Sequence, residues 1–238
     1  MSENGSLPRV VASSVIRSAH QGESHGGVYL VDLASGDTEQ VIDWDDASIS
    51  WEGRGADRGL RGIAFHDDEV YLAASDEIFV YDREFRLRRS FRNAYLKHCH
   101  EICIAEGRLY ATSTGFDSIL EYDLREREWV RGFTLRFGQL HRIGKRVGLA
   151  PRPPLRSFDP RRDGGPQAGD SSHLNSVSWR DGAIYVCGTR LRRLLVLEDG
   201  RLRGYASVPP GTHNAQPYGD HVLVNHTASR WPSFVPHA

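Results

Sequence analysis

Gly62-Ile63-Ala64-Phe65-His66-Asp67-Asp68-Glu69-Val70-Tyr71-Leu72-Ala73-Ala74-Ser75 returns 39 positions later as Glu101-Ile102-Cys103-Ile104-Ala105-Glu106-Gly107-Arg108-Leu109-Tyr110-Ala111-Thr112-Ser113-Thr114. Each copy reads as a short apolar strand, a tight polar turn and a second strand with an aromatic near its start. Ser176-Val177-Ser178-Trp179-Arg180-Asp181-Gly182-Ala183-Ile184-Tyr185-Val186-Cys187-Gly188 repeats the pattern, and Asn214 to Asn225 repeats it more loosely. From Tyr185 to Leu223 is 38 positions, and from Tyr110 to Tyr185 is 75, one period plus an insertion.

A third strand recurs as Val28–Asp32, Ile78–Asp82, Ile119–Asp123 and Leu194–Glu198, each ending on an acidic turn residue. A fourth follows at Glu39–Asp43, Leu87–Phe91, Trp129–Phe133 and Leu202–Tyr205. Four short strands in about 40 residues, repeated, is the blade of a β-propeller. A sandwich would space its strands similarly without returning the same four-part unit. The expected fold is therefore all-β, a single propeller of about five four-stranded blades. The units fall at residues 9–44, 58–93, 98–136, 173–209 and 213–238. The first lacks an innermost strand, and the last draws on its tail, residues 230–236, for an irregular third. Between the third and fourth units lies a proline- and glycine-rich insertion, about 137–172, which reads as a long loop or lid, or else as a surface excursion.

Composition sets outer bounds. Hydrophobic residues make up 39% and charged residues 26%, a folded globular balance. A net charge of −1 offers no field for nucleic acid or an anionic membrane. No run approaches the roughly 18 apolar residues of a spanning helix, and the polar start Met1–Ser6 has no secretory pattern. Cys99, Cys103 and Cys187 form no CxxC pair and read as free thiols in a reducing compartment, so a cytoplasmic location is expected.

The repeat also works as a geometric instrument, because the innermost strands of a propeller line its axis. Arg61, His100, Asn175 and His213 share one repeat position at the entry to those strands. His98 and His173 share another, two residues earlier, which would face the same way in an extended chain. Imidazoles converging from three blades suit a divalent transition metal such as Fe, Zn or Mn, with His98, His100, His173 and His213 as ligands. Arg61, Glu101 and Asn175 are the companion catalytic candidates, Arg61 fixing an anionic group. Glu101 and Asn214 would lie on the opposite strand face unless the strand bulges. A lone histidine before a strand is more often an ordinary surface or core residue; it is the matched positions that argue otherwise.

Further rim candidates are Glu23 and His25 in the loop His20-Gln21-Gly22-Glu23-Ser24-His25-Gly26-Gly27, Arg58 among the arginines of segment 51–61, Asp117, and His226. Each also has a plainer reading as a turn or surface residue. P-loop, Gly-x-Ser-x-Gly, His-Glu-x-x-His and dinucleotide patterns are absent.

The blade units resemble those of bacterial β-propellers of the YVTN/NHL and strictosidine-synthase-like kind. Gly22–Gly27, Lys97-His98-Cys99-His100-Glu101 and Gly211-Thr212-His213-Asn214 are similar to motifs of a bacterial propeller family. The resemblance implies a fold and no particular activity. Carotenoid oxygenases look similar in one respect, four axial histidines holding iron. The functional expectation is a metal-dependent enzyme acting on a small polar or anionic molecule. The rivals are a non-catalytic ligand- or protein-binding propeller and a metal-free His/Arg acid–base enzyme.

Overall fold

The computed structural model describes residues 7–16, 19–20, 22–45, 59–135, 155–226 and 232–236. Its strands form five successive antiparallel sheets, each a meander in chain order. This is the all-β, five-blade propeller arrangement the repeat predicts, with blades of three to five strands. The strands lie in two compact units, Met1–Ser90 and Phe91–Ala238.

The first unit opens with a three-stranded blade: β1 (Arg9–Ser13), β2 (Gly27–Asp32) and β3 (Thr38–Asp43). Next come β4 (Ile63–His66), β5 (Glu69–Ala74), β6 (Glu77–Asp82) and β7 (Leu87–Arg92), a four-stranded blade. All of β6 is buried, and β5 is buried except at Glu69, whereas β7 is a charged outer edge. Val28, Trp44, Leu60, Leu72, Phe79 and Tyr81 belong to one apolar core, with the Trp44 and Phe79 rings edge to face at 4.7 Å.

In the second unit, β8 (Ile102–Ala105), β9 (Arg108–Ser113), β10 (Ser118–Asp123) and β11 (Glu128–Thr134) make the third blade. The insertion adds a fifth strand to it. β12 (Arg156–Phe158) pairs with β11 through Gly132↔Phe158, Phe133↔Ser157 and Thr134↔Arg156. Gly132 makes this possible, since a Cβ there would lie 2.2 Å from the Phe158 ring. The next stretch is tied down as well. Tyr95 Oη donates to the Arg162 carbonyl (3.0 Å) and accepts from the Gly165 amide (2.9 Å), and Asn93 Nδ2 donates to the Pro160 carbonyl (3.0 Å). Residues 155–172 are thus tied to the third blade by strand pairing and side-chain hydrogen bonds. Residues 136–154 lie outside the described set.

The fourth blade is β13 (Leu174–Arg180), β14 (Ala183–Gly188), β15 (Arg193–Glu198) and β16 (Arg201–Ser207). The fifth is β17 (Thr212–Tyr218), β18 (His221–His226) and β19 (Ser233–Pro236), so the tail does supply the irregular third strand. Leu174, Val177, Ile184 and Val186 pack with Tyr110, Ile119 and Phe133 of the third blade, while Tyr185 and Val196 pack with Ala215, Val222 and Val224 of the fifth. No helix of the described residues is long and apolar enough to cross a membrane.

Candidate functional site

The innermost strands of the second unit do not enter their sheets as plain extended chain. The β13–β14 ladder passes from Leu174↔Gly188 to Ser176↔Cys187, leaving Asn175 as an extra, bulged residue. β17 breaks register between His213 and Gln216, and Asn214 there is left-handed, with φ 48°. In the third blade the Thr112 hydroxyl accepts from the amides of both His100 and Glu101, each at 3.0 Å. Bulges re-aim side chains. Here they bring together residues that strict alternation would separate.

Several contacts join the blades at this level. The His100 and His173 rings meet edge to face, with centroids 5.2 Å apart. The Asn175 amide Nδ2 lies 3.0 Å from His213 Nδ1. Asn214 Nδ2 donates to Glu101 Oε2 at 2.5 Å, linking the fifth blade directly to the third. Thr114 Oγ1 also donates to the Leu174 carbonyl.

The partners of each ring fix its tautomer. His173 Nδ1 lies 2.8 Å from Asp170 Oδ2, so it carries the proton and Nε2 is the acceptor nitrogen. His100 Nδ1 faces the His98 carbonyl at 2.8 Å, an atom that can only accept, and Thr114 Oγ1 at 3.0 Å. Its Nε2 is again the acceptor. His213 is the reverse. The Asn175 amide nitrogen also points to the Thr212 carbonyl (3.4 Å), which sets the amide's orientation and makes it the donor to His213 Nδ1. The His213 proton therefore sits on Nε2.

Glu101 is the chemically distinctive group. Its carboxylate accepts from the Ile102 amide (3.1 Å) and from Asn214, and burial pushes its pKa up to about 7 against those two hydrogen bonds. Asn175 is 1% exposed, and its Oδ1 is buried without a hydrogen-bond partner.

Other predicted residues fall elsewhere. His98 and His173 both have left-handed backbone, φ 54° and 51°, so the same-face rule does not reach them. His98 is exposed, and its carbonyl meets His100 Nδ1. Among the described residues no group of three or more His, Cys, Asp or Glu is arranged to hold a metal ion. Asp117 is fully buried and accepts from the Ser171 amide and hydroxyl and from the Ser172 amide, at 2.6–2.9 Å for the closest contacts. It anchors the strap that delivers His173 rather than facing a rim. His226 Nε2 bonds the Pro210 carbonyl at 2.7 Å.

Arg61 belongs to the first unit, where its amide donates to the Ala73 carbonyl (2.9 Å) and its carbonyl accepts from Ser13 Oγ (2.8 Å). Glu23 there accepts from the His20 amide, and the fully buried His25 sets Nε2 against the His20 carbonyl, so both serve their own loop. Gly26 lets that loop close: its φ is +110°, and a Cβ would lie 2.1 Å from the Ser14 carbonyl oxygen. Arg58 lies outside the described residues.

Sequence reading missed Asp170, Thr114 and Arg190. Arg190 Nη1 donates to the Asp170 carbonyl at 2.6 Å and lies 3.3 Å from Oδ1. The spacing Asp170–His173 was the available signal, since a carboxylate three residues before a histidine reaches it readily around a turn.

The five successive antiparallel meanders are the blade arrangement of a β-propeller. No family model and no curated protein matches it. It is similar to a chain in the crystal structure of a nidogen/laminin complex, at 14% identity over 89% of this chain and 68% of that one, with a TM-score of 0.55. A chain of the mitotic checkpoint complex shows 11% identity over 96% and 71%, with a TM-score of 0.52. Myxococcus xanthus glutaminyl cyclase gives 14% identity over 97% and 96%, at a TM-score of 0.47. At these identities the first two likenesses concern fold alone, and the third bears no argument.

Proposed function

We propose that the cluster at the entries of β8, β13 and β17 is a metal-free acid–base site for a small polar molecule. The observation that supports this most is the pairing of opposite tautomers. His100 and His173 each set Nδ1 toward an acceptor, while His213 Nδ1 faces a donor, and Glu101, a half-buried carboxyl group, adjoins His100 in the chain. A site that removes a proton at one point and returns one at another needs that asymmetry.

In this reading His173 is the base. Asp170 holds its Nδ1–H and would stabilise the imidazolium formed when Nε2 takes a proton. His213 donates through Nε2–H. Glu101, with a pKa of about 7, exchanges a proton near neutral pH at little cost. Arg61 and a metal, both prominent in the sequence reading, have no part in it.

Two measurements test the reading together. Long-range ¹⁵N–¹H spectra should report Nδ1–H tautomers for His100 and His173 and an Nε2–H tautomer for His213. Elemental analysis of the purified chain should find no stoichiometric transition metal. A bound metal lost in the His100→Ala, His173→Ala double variant would sink the proposal, as would His213 protonated on Nδ1.

A further inference from the structure

We infer that the molecule taken by this cluster carries a cationic amine that pairs with Glu101; the inference rests on the site reading above and adds the ligand's charge to it.

Charge accounting in the second unit leads there. Asp170 is balanced by Arg190, Asp123 by Arg108, and Glu121 by Arg108 and Arg131. Among the described residues the Glu101 carboxylate is met by an amide N–H and the Asn214 carboxamide and by no cation. A half-buried carboxylate without a counter-charge is costly, and an ammonium group supplies what is missing.

The neighbouring atoms agree. With the tautomer assigned above, His173 presents an acceptor nitrogen, and Glu101 presents carboxylate oxygens. Asn175 Oδ1, on a side chain 1% exposed, is a further acceptor that no described residue satisfies. It belongs to the same amide that holds His213. An acceptor-rich site of this kind suits a ligand with several N–H donors and disfavours a carboxylate or phosphate. The anionic molecule expected from Arg61 is thereby replaced by a cationic one.

Propylamine, 1-propanol and propionate, matched in skeleton, serve as probes in titrations of the full chain followed through its histidine ring NMR signals. Propylammonium should move the His100, His173 and His213 signals. Its affinity should fall about tenfold or more in Glu101→Gln, the loss of one ion pair of roughly 1.4 kcal/mol. Asn214→Ala, which keeps the carboxylate and removes a competing donor, should bind the amine at least as well as the parent. Propionate binding as tightly as the amine, or unchanged amine affinity in Glu101→Gln, overturns the inference. If propanol or propionate moves these signals and the amine does not, the ligand charge is wrong and the site reading survives. If no probe moves them, both fall.

Discussion

Glu101 sets the clearest expectation for single residues. Its pKa is raised from an ordinary carboxyl value of 4.5 to about 7 in the folded chain, with burial as the largest cause. Below pH 4.5 both folded and unfolded forms are protonated, and the residue costs nothing. As pH rises from 4.5 to 7 the unfolded chain releases the proton first, so stability falls, and above 7 the full penalty of about 3 kcal/mol at most applies. Glu101→Gln should therefore match the parent near pH 4 and exceed it in urea denaturation at pH 8; equal midpoints at both pH values would remove the case for a burdened carboxyl. Asp170 makes a second expectation. Asp170→Asn offers His173 a donor as well as an acceptor, so ¹⁵N spectra should show an Nε2–H population at His173 while His213 stays as it was. An unchanged His173 tautomer would show that Asp170 does not set it.

Among the elements, the strap from β12 to β13 is held at two points that can be loosened separately. Asp117→Ala leaves the Ser171 and Ser172 amides and the Ser171 hydroxyl without their acceptor and should cost about 3 kcal/mol, with new proteolytic cutting between residues 155 and 172. A protease-resistant variant of parental stability would contradict that role. Gly132→Ala drives a methyl into the Phe158 ring and should cost about 1–3 kcal/mol by displacing β12 alone. The same elements show where sequence reading succeeds and where it stops. Blade boundaries were legible because each repeat buries the same positions, such as Tyr71, Tyr110 and Tyr185. Row membership was legible for His100, Asn175 and His213, whose repeat positions hold. Orientation was not. The left-handed turns at His98 and His173 and the bulges at Asn175 and Asn214 depend on cross-strand geometry that period-two alternation does not encode. The Asp117 anchor spans 54 positions to Ser171, beyond any local pattern.

Across the whole molecule, the three thiols give a reporter. Cys99 and Cys187 are buried and Cys103 half-buried, and burial pushes the Cys103 and Cys187 thiols up to about 12. Thiolate is the reactive form, so alkylation in native buffer should be very slow and should accelerate only when the second unit opens. Rapid labelling of Cys103 or Cys187 in the folded chain would contradict their packing. The outer strands of the blades differ in charge. β7 and β16 carry arginines along their free sides, but Gly132–Thr134 of β11 reads Gly-Phe-Thr and has no charge of its own. β12 covers that stretch with three residues. Take it away, and a row of open amide and carbonyl groups becomes a template onto which a strand of another copy can add. A chain lacking β12 should therefore assemble in proportion to its concentration, and one that stays monomeric would contradict this role for the strand.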